Sequence, residues 1–305
     1  MSQPIEFRKQ RELGDIITDT FKFLRQNLKP LFINIFKITG PVFVILILAI
    51  GYYSYLGMDL LSNPFLVETS EVNVETFFIS VFILFVSLVA FYVLLYNTVL
   101  HYIKSYIENS GEVDHNEVSR GVKRDFGSML GLSLVSGTIF VTVLGILITL
   151  LIFAGIHPIL SVLVGILPVI YLWVPLALAP AILIFARTSI MDSISYSFRL
   201  VKDNWWATFF TLFVITLLIY IIGLIFQFPL MIYMFIKALV MSQEGSISSP
   251  ADIVDWVYVF FNVLSSLFQY LLSVIGVVAS AFIYYHLDEK KNATGTYERI
   301  SNLGS

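Results

Sequence analysis

Six long apolar stretches constrain this chain more than any other feature: residues 38–56, 77–100, 129–156, 159–186, 207–240 and 256–285, with Lys237 the one Asp, Glu, Lys or Arg among them. Crossing about 30 Å of hydrocarbon takes roughly 17 to 25 helical residues, and each stretch is long enough. A backbone in lipid must satisfy its own hydrogen bonds, so each is expected to be a helix. The expected fold is all-α: a polytopic membrane bundle of six transmembrane helices in a single membrane domain, 1–305. Only 13% of residues are charged, against roughly 25% in soluble domains. Connections reach about 30 residues at most, too few for a separate catalytic domain. The absence of cysteine excludes disulfides, thiolate metal sites and a cysteine nucleophile. Residues 1–37 are too polar for a signal peptide, so the first span is expected to direct insertion.

Charge placement sets the expected topology. Segments 1–37, 101–128, 187–206 and 286–305 hold 7, 4, 3 and 3 of the 18 Lys and Arg, and the loops between them on the other side hold none. By the positive-inside rule both termini are cytoplasmic in a bacterial inner membrane, with 286–305 a cytoplasmic tail. The outer loops carry Asp59, Glu68, Glu71, Glu75, Glu244, Asp252 and Asp255. These carboxylates either gather cations or simply keep short loops solvated.

An internal repeat is visible before the first, third and fifth spans, where KFLRQNL at 22–28, RGVKRDF at 120–126 and RLVKDNW at 199–205 share one pattern. It aligns Lys22, Arg120 and Arg199, then Arg25, Lys123 and Lys202, then Asn27, Asp125 and Asn204, and finally Leu28, Phe126 and Trp205. The first and third copies also share an apolar stripe: Leu13, Ile17, Phe21, Leu24 and Leu28 match Ile190, Ile194, Phe198, Val201 and Trp205. Such spacing marks one face of a helix. The expectation is three hairpins, about 10–100, 112–186 and 188–285, each preceded by a cytoplasmic amphipathic helix. Two readings stand for these helices. They lie on the membrane with bases, and the flanking Trp205 and Trp206, toward anionic headgroups or a partner, or they pack on the bundle while the bases act as topology anchors.

The stretch SISYSFRLVKDNWWATFFTLF at 193–213, with Ser195, Leu200, Lys202, Asn204 and Trp205, and the exit YYHLDEKK at 284–291 carry a family resemblance. The chain resembles a group of bacterial six-span membrane proteins that includes the membrane domain fused to some glycerophosphodiester phosphodiesterases. The resemblance implies a six-helix bundle with both termini inside. It does not imply phosphodiesterase activity, because the catalytic barrel of those fusions takes about 250 further residues.

Catalytic and metal chemistry find little footing. His101, His115, His157 and His286 lie apart, without a second histidine or carboxylate at helical spacing within a span. No Gly-x-Ser-x-Gly elbow occurs. The spans offer uncharged polar residues such as Asn97, Gln227, Asn262 and Gln269, which argues against proton coupling and leaves facilitated passage or lipid movement open. No catalytic residue, metal, cofactor or nucleic-acid partner is expected.

The fourth span is the least ordinary. Pro168, Pro175 and Pro180 remove helix donors, so it should kink or break, and freed carbonyls need other partners. Gly223, Gln227 and Pro229 interrupt the fifth stretch, which Gly245–Ser249 follows as a loop. These six Pro, Gly and Gln positions frame the expected cavity, between spans four and five. The spacings Gly127/Gly131, Ser133/Gly137 and Gly276/Ser280 suit close helix packing, and Ser249-Pro250-Ala251-Asp252 reads as a helix start. The favoured role is a non-enzymatic accessory or scaffold subunit holding a partner membrane protein. The alternative is a carrier of lipid or a small amphiphile that uses the cavity beside spans four and five.

Overall fold

The computed structural model describes residues 4–62, 74–244 and 255–296, and within them it is helical with no strand. The helices are α1 (Leu13–Ser62), α2 (Val74–Glu108), α3 (His115–Phe153), α4 (Pro158–Leu176), α5 (Ala179–Phe185), α6 (Ile190–Val201), α7 (Trp205–Glu244) and α8 (Trp256–Asn292). A 3-10 turn, Lys202–Asn204, joins α6 to α7. Six helical stretches are long and apolar enough to cross a membrane, and the chain is a multi-pass membrane protein on that ground.

The segments expected as amphipathic approaches take two forms. Before the first and third spans they run on without a break into α1, of 50 residues, and α3, of 39 residues. Before the fifth span the approach is a separate helix, α6, ended by the 3-10 turn. Ser189 caps α6 by accepting from the Asp192 N–H at 3.2 Å, which satisfies a donor the helix itself cannot.

Packing divides the chain into two compact units. The first comprises 1–38, 93–216 and 275–305, and among the described residues it holds every Lys and Arg except Lys237. Its core is aromatic. Phe7 stacks on Phe282 at 4.2 Å and meets Phe23 edge-on at 5.4 Å, while Phe23 meets Tyr106 at 5.2 Å. Residues 4–12, expected only to carry charge, insert Ile5, Phe7 and Arg11 into this core. The Arg11 backbone N–H donates to Nδ1 of His286 at 2.9 Å, so the chain's two ends meet. Residues 286–296 are no free tail. Asp288 and Glu289 are buried, with Asp288 accepting from Tyr196 and Thr294, and Glu289 from the Gly295 and Thr296 N–H groups.

The second unit comprises 39–92 and 217–274. Phe226 stacks on Phe268 at 4.0 Å, Phe43 on Phe91 at 5.0 Å, and Tyr55 on Trp256 at 5.2 Å. The lone charge of the apolar stretches finds its partner here. Lys237 donates to Asp255 at 2.6 Å, the Tyr233 hydroxyl donates to the same carboxylate at 2.5 Å, and Asp255 caps α8 by accepting from the Val257 and Tyr258 N–H groups. The start of α8 is thus at Trp256; the Ser249–Asp252 signal and the Gly245–Ser249 loop lie outside the described residues.

Desolvation raises the pKa of Asp255, but the hydrogen bonds from Lys237, Tyr233 and the Tyr258 N–H outweigh it and hold the carboxyl at about 2, below its ordinary 3.8. A group depressed in the folded state stabilises fully above its unfolded pKa and loses that contribution as pH falls through the folded one. The melting-temperature advantage of the wild type over Asp255→Asn should therefore hold near neutral pH and shrink from about pH 4 to about pH 2. The carboxylate is more than a third exposed, so solvent screening keeps the effect to about 1 kcal/mol or less. An advantage that stays constant across that window would show that the ion pair contributes nothing.

Candidate functional site

The Pro-rich fourth span is broken. Its helix stops at Leu176 and restarts at Ala179, with Pro180 in the first turn of α5, where a missing N–H costs little. Pro175 leaves the Tyr171 carbonyl without its helical donor, and the indole N–H of Trp205 donates to that carbonyl at 3.3 Å. The rings follow: Trp205 stacks on Tyr171 at 5.5 Å and on Phe209 at 5.3 Å. At the C-terminal end of α5 the ammonium of the buried Lys104 donates to the Ile184 carbonyl at 3.0 Å, the cationic arrangement a helix C-terminus favours.

Between α4 and the start of α7 runs an open groove of about 760 Å³. Its walls are Leu167, Ile170 and Tyr171 on one side and Trp205, Trp206 and Phe209 on the other, with Lys202, Asp203 and Asn204 at one end. A long apolar trough with a polar mouth suits an acyl chain attached to a polar head.

None of the six expected cavity residues lines this groove. Pro168 and Pro180 are half-buried, and Pro175 is buried. Gly223, Gln227 and Pro229 fall in the second unit, where α7 runs unbroken through Pro229. Gly223 is buried against the Gln269 amide, whereas Gln227 and Pro229 are exposed. Of the other polar residues in the spans, Asn262 meets Ser54 at 3.5 Å, and Asn97 donates to the Val122 carbonyl at 3.0 Å.

The six aligned bases, Lys22, Arg25, Arg120, Lys123, Arg199 and Lys202, are all exposed. Arg199 lies over the Tyr196 ring at 5.7 Å, and Trp206 is exposed. The two matching apolar stripes part ways. In the first copy Leu13, Phe21 and Leu28 face outward while Leu24 is buried, and the core face of α1 is otherwise Ile16, Thr20, Phe23, Asn27 and Leu31. In the third copy Ile194 and Val201 are buried. The Asn or Asp two residues beyond the second base has a partner in each copy. Asn27 accepts from Tyr102 at 3.2 Å, Asp125 bonds His101 at 3.0 Å, and Asn204 accepts from Lys290 at 2.6 Å. Each of these contacts ties an approach segment to the α2 or α8 end it meets.

Sequence spacing missed the His101–Asp125 pair, which is 24 residues apart and needs α2 and α3 side by side. Among the described residues the His101 ring bonds no hydroxyl, and no three His, Asp or Glu gather as a metal site would need. His115 bonds the Asn34 side chain at 2.9 Å, and His157 caps α4. Of the small-residue pairs, Gly131 packs against Ile190, while Gly127 and Gly137 have open space around them.

No protein-family model, no curated protein and no solved structure matches this chain.

Proposed function

We propose that this protein is a non-enzymatic component of a bacterial inner membrane, with both termini cytoplasmic, that binds a lipid or other small amphiphile in the groove between α4 and α7. The observation that carries this reading is the groove itself: an aromatic and aliphatic trough of about 760 Å³ with Lys202, Asp203 and Asn204 at its mouth. The Trp205 bond to the carbonyl freed by Pro175 supports it further, because that bond holds one wall against the other. The break in α4 and α5 thus acts on the groove wall, as discontinuous helices do where a membrane protein takes a ligand at their ends.

The accessory reading rests on a separate observation. None of the residues in the most apolar window of α3 is buried, and Ser133, Gly137 and Gly145 share that exposed side. Small residues let a second helix approach closely, so this face suits a partner membrane protein, with the exposed bases at its end.

One experiment addresses both. The full chain is purified in nanodiscs formed directly from the membrane, and retained lipids and proteins are identified by mass spectrometry, alongside Ala207→Trp. Ala207 lines the groove and is exposed, so tryptophan fills the trough without entering the core. The wild type is expected to retain one lipid class severalfold above its share of the membrane, and Ala207→Trp to lose that enrichment. Retained lipid that mirrors the bulk in both proteins would remove the amphiphile reading, and a stoichiometric protein companion beside it would favour the accessory one.

A further inference from the structure

A second cavity, of about 340 Å³, opens beside α2, α3 and the residue after α5. Lys104, Arg120, Arg124 and Arg187 line it, against two carboxylates, Glu108 and Glu117. Glu108 and Glu117 offset two of the four positive charges, and the surplus favours an anion in the shared space. Asp125, beside the cavity, and Glu117 also have partners of their own. Asp125 takes two hydrogen bonds from Arg124, each 2.9 Å, and bonds His101. Glu117 accepts from the Ser105 hydroxyl at 2.8 Å and the Asn109 amide at 3.1 Å. Arg120 reaches only the Asn116 carbonyl at 3.3 Å, and among the described residues Arg187 makes no hydrogen bond or ion pair.

Arg187 is also in an unusual conformation. It follows the end of α5 with φ 52°, in the left-handed region. Glycine is the common residue one step past a helix end, because a Cβ is disfavoured there. A side chain kept at such a position, unpaired and facing a cavity of like charges, suits a role in the cavity better than one in the turn.

We propose that this cavity binds a phosphate group, carried by the headgroup of an anionic lipid or by a free phosphate ester. Guanidinium groups match phosphate oxygens through paired N–H donors, and two of the four bases here have such forks without a carboxylate partner. The volume admits a phosphate together with part of the group that bears it. Basic pockets between membrane helices are sites for phosphate-bearing headgroups. This inference stands independently of the groove between α4 and α7.

The test uses the full chain in neutral detergent, with short-chain phosphatidic acid, short-chain phosphatidylcholine, glycerol 3-phosphate and inorganic phosphate as probes, read by thermal shift and by titration. Saturable binding of phosphatidic acid alone would identify a lipid headgroup as the ligand. Binding of glycerol 3-phosphate or inorganic phosphate as well would identify a free phosphate. Arg187→Gly relieves the left-handed strain, so it should melt no lower than the wild type while its affinity falls at least about tenfold. Arg120→Gln, at an exposed position, should show the same loss. Lys29→Gln, an exposed base outside the cavity, should stay within about twofold of the wild type. The proposal is overturned if no phosphate probe binds better than phosphatidylcholine, if Arg187→Gly and Arg120→Gln bind like the wild type, or if Lys29→Gln loses as much as they do.

Discussion

Arg11→Leu is expected to lower the stability of the folded protein by about 3 kcal/mol or more, the largest effect of any single surface-segment substitution in this chain. Arg11 stands among the charges of the N-terminal segment, yet its side chain is 1% exposed. Its guanidinium donates to the carbonyls of Phe7 and Lys9 at 2.7 and 3.2 Å, to the Glu6 carbonyl, and to Asp19 at 2.8 Å. It also lies 4.8 Å from the centre of the Phe282 ring, a contact worth about 2 kcal/mol when desolvated. Leucine would fill the space but leave those acceptors without a donor, at about 1–3 kcal/mol for each that water cannot reach. Because Arg11 folds residues 4–12 back onto α8, the variant should also become cleavable by protease ahead of α1. A wild-type melting temperature together with wild-type protease resistance would mean that the aromatic contacts of Phe7 alone hold the segment.

The six spans were legible because hydrocarbon imposes a rule that composition cannot disguise: about 20 residues without charge, hydrogen-bonded to themselves. A disturbance of the fourth span was legible for the same kind of reason, since three prolines remove three donors, but whether it bends or breaks was not; the break falls between Leu176 and Ala179. The face of α1 was not legible. The spacing left open whether the stripe from Leu13 to Leu28 meets the membrane or packs on the bundle; Leu13, Phe21 and Leu28 are exposed and Leu24 is buried, and the core face of α1 carries the polar Thr20 and Asn27, which donate to the carbonyls of Ile16 and Phe23. The same spacing in α6 ends up packed, so periodicity found the helices without deciding which side of each is covered.

The candidate sites were legible only in part. The prolines marked the helix that carries one wall of the groove without lining it, and the Trp205 and Trp206 pair lies on the other wall, though the spacing alone offered no reason for them to meet Tyr171. Gly223, Gln227 and Pro229 were drawn into the expected cavity because they interrupt a neighbouring span; they belong to the second unit. Of the cavity of four cations only Arg120 was singled out in the sequence, as one of the bases aligned toward headgroups or a partner; Lys104, Arg124 and Arg187 read as ordinary topology anchors, and no spacing brings the four together. The plug of residues 4–12 did leave a signal: Ile5 and Phe7 are large apolar residues with no place in a purely solvated charged segment.

Gly121→Ala is expected to destabilise the protein by about 1–3 kcal/mol, as overpacking a closed site does, and to do so by driving α2 and α3 apart. A Cβ on Gly121 would lie 2.4 Å from Nδ1 of His101 and 2.6 Å from Cε1. A swing of the buried ring would break its bond from the other nitrogen to Asp125, 3.0 Å long. Gly131→Ala is the internal control. Its Cβ would come equally near a neighbour, 2.7 Å from Ile190, but that neighbour is the terminal methyl of a flexible side chain that can rotate away. Melting temperatures should therefore fall clearly for Gly121→Ala and much less for Gly131→Ala. Removing the ring removes the clash, so His101→Ala combined with Gly121→Ala should cost less than the sum of the two separately. Equal losses for the two glycines, or strict additivity in the double variant, would place the constraint elsewhere. Gly121 lies between Arg120 and Arg124 along α3, so a shift of this helix would carry both cations away from Lys104 and Arg187, and Gly121→Ala should weaken phosphate binding without touching a single charge.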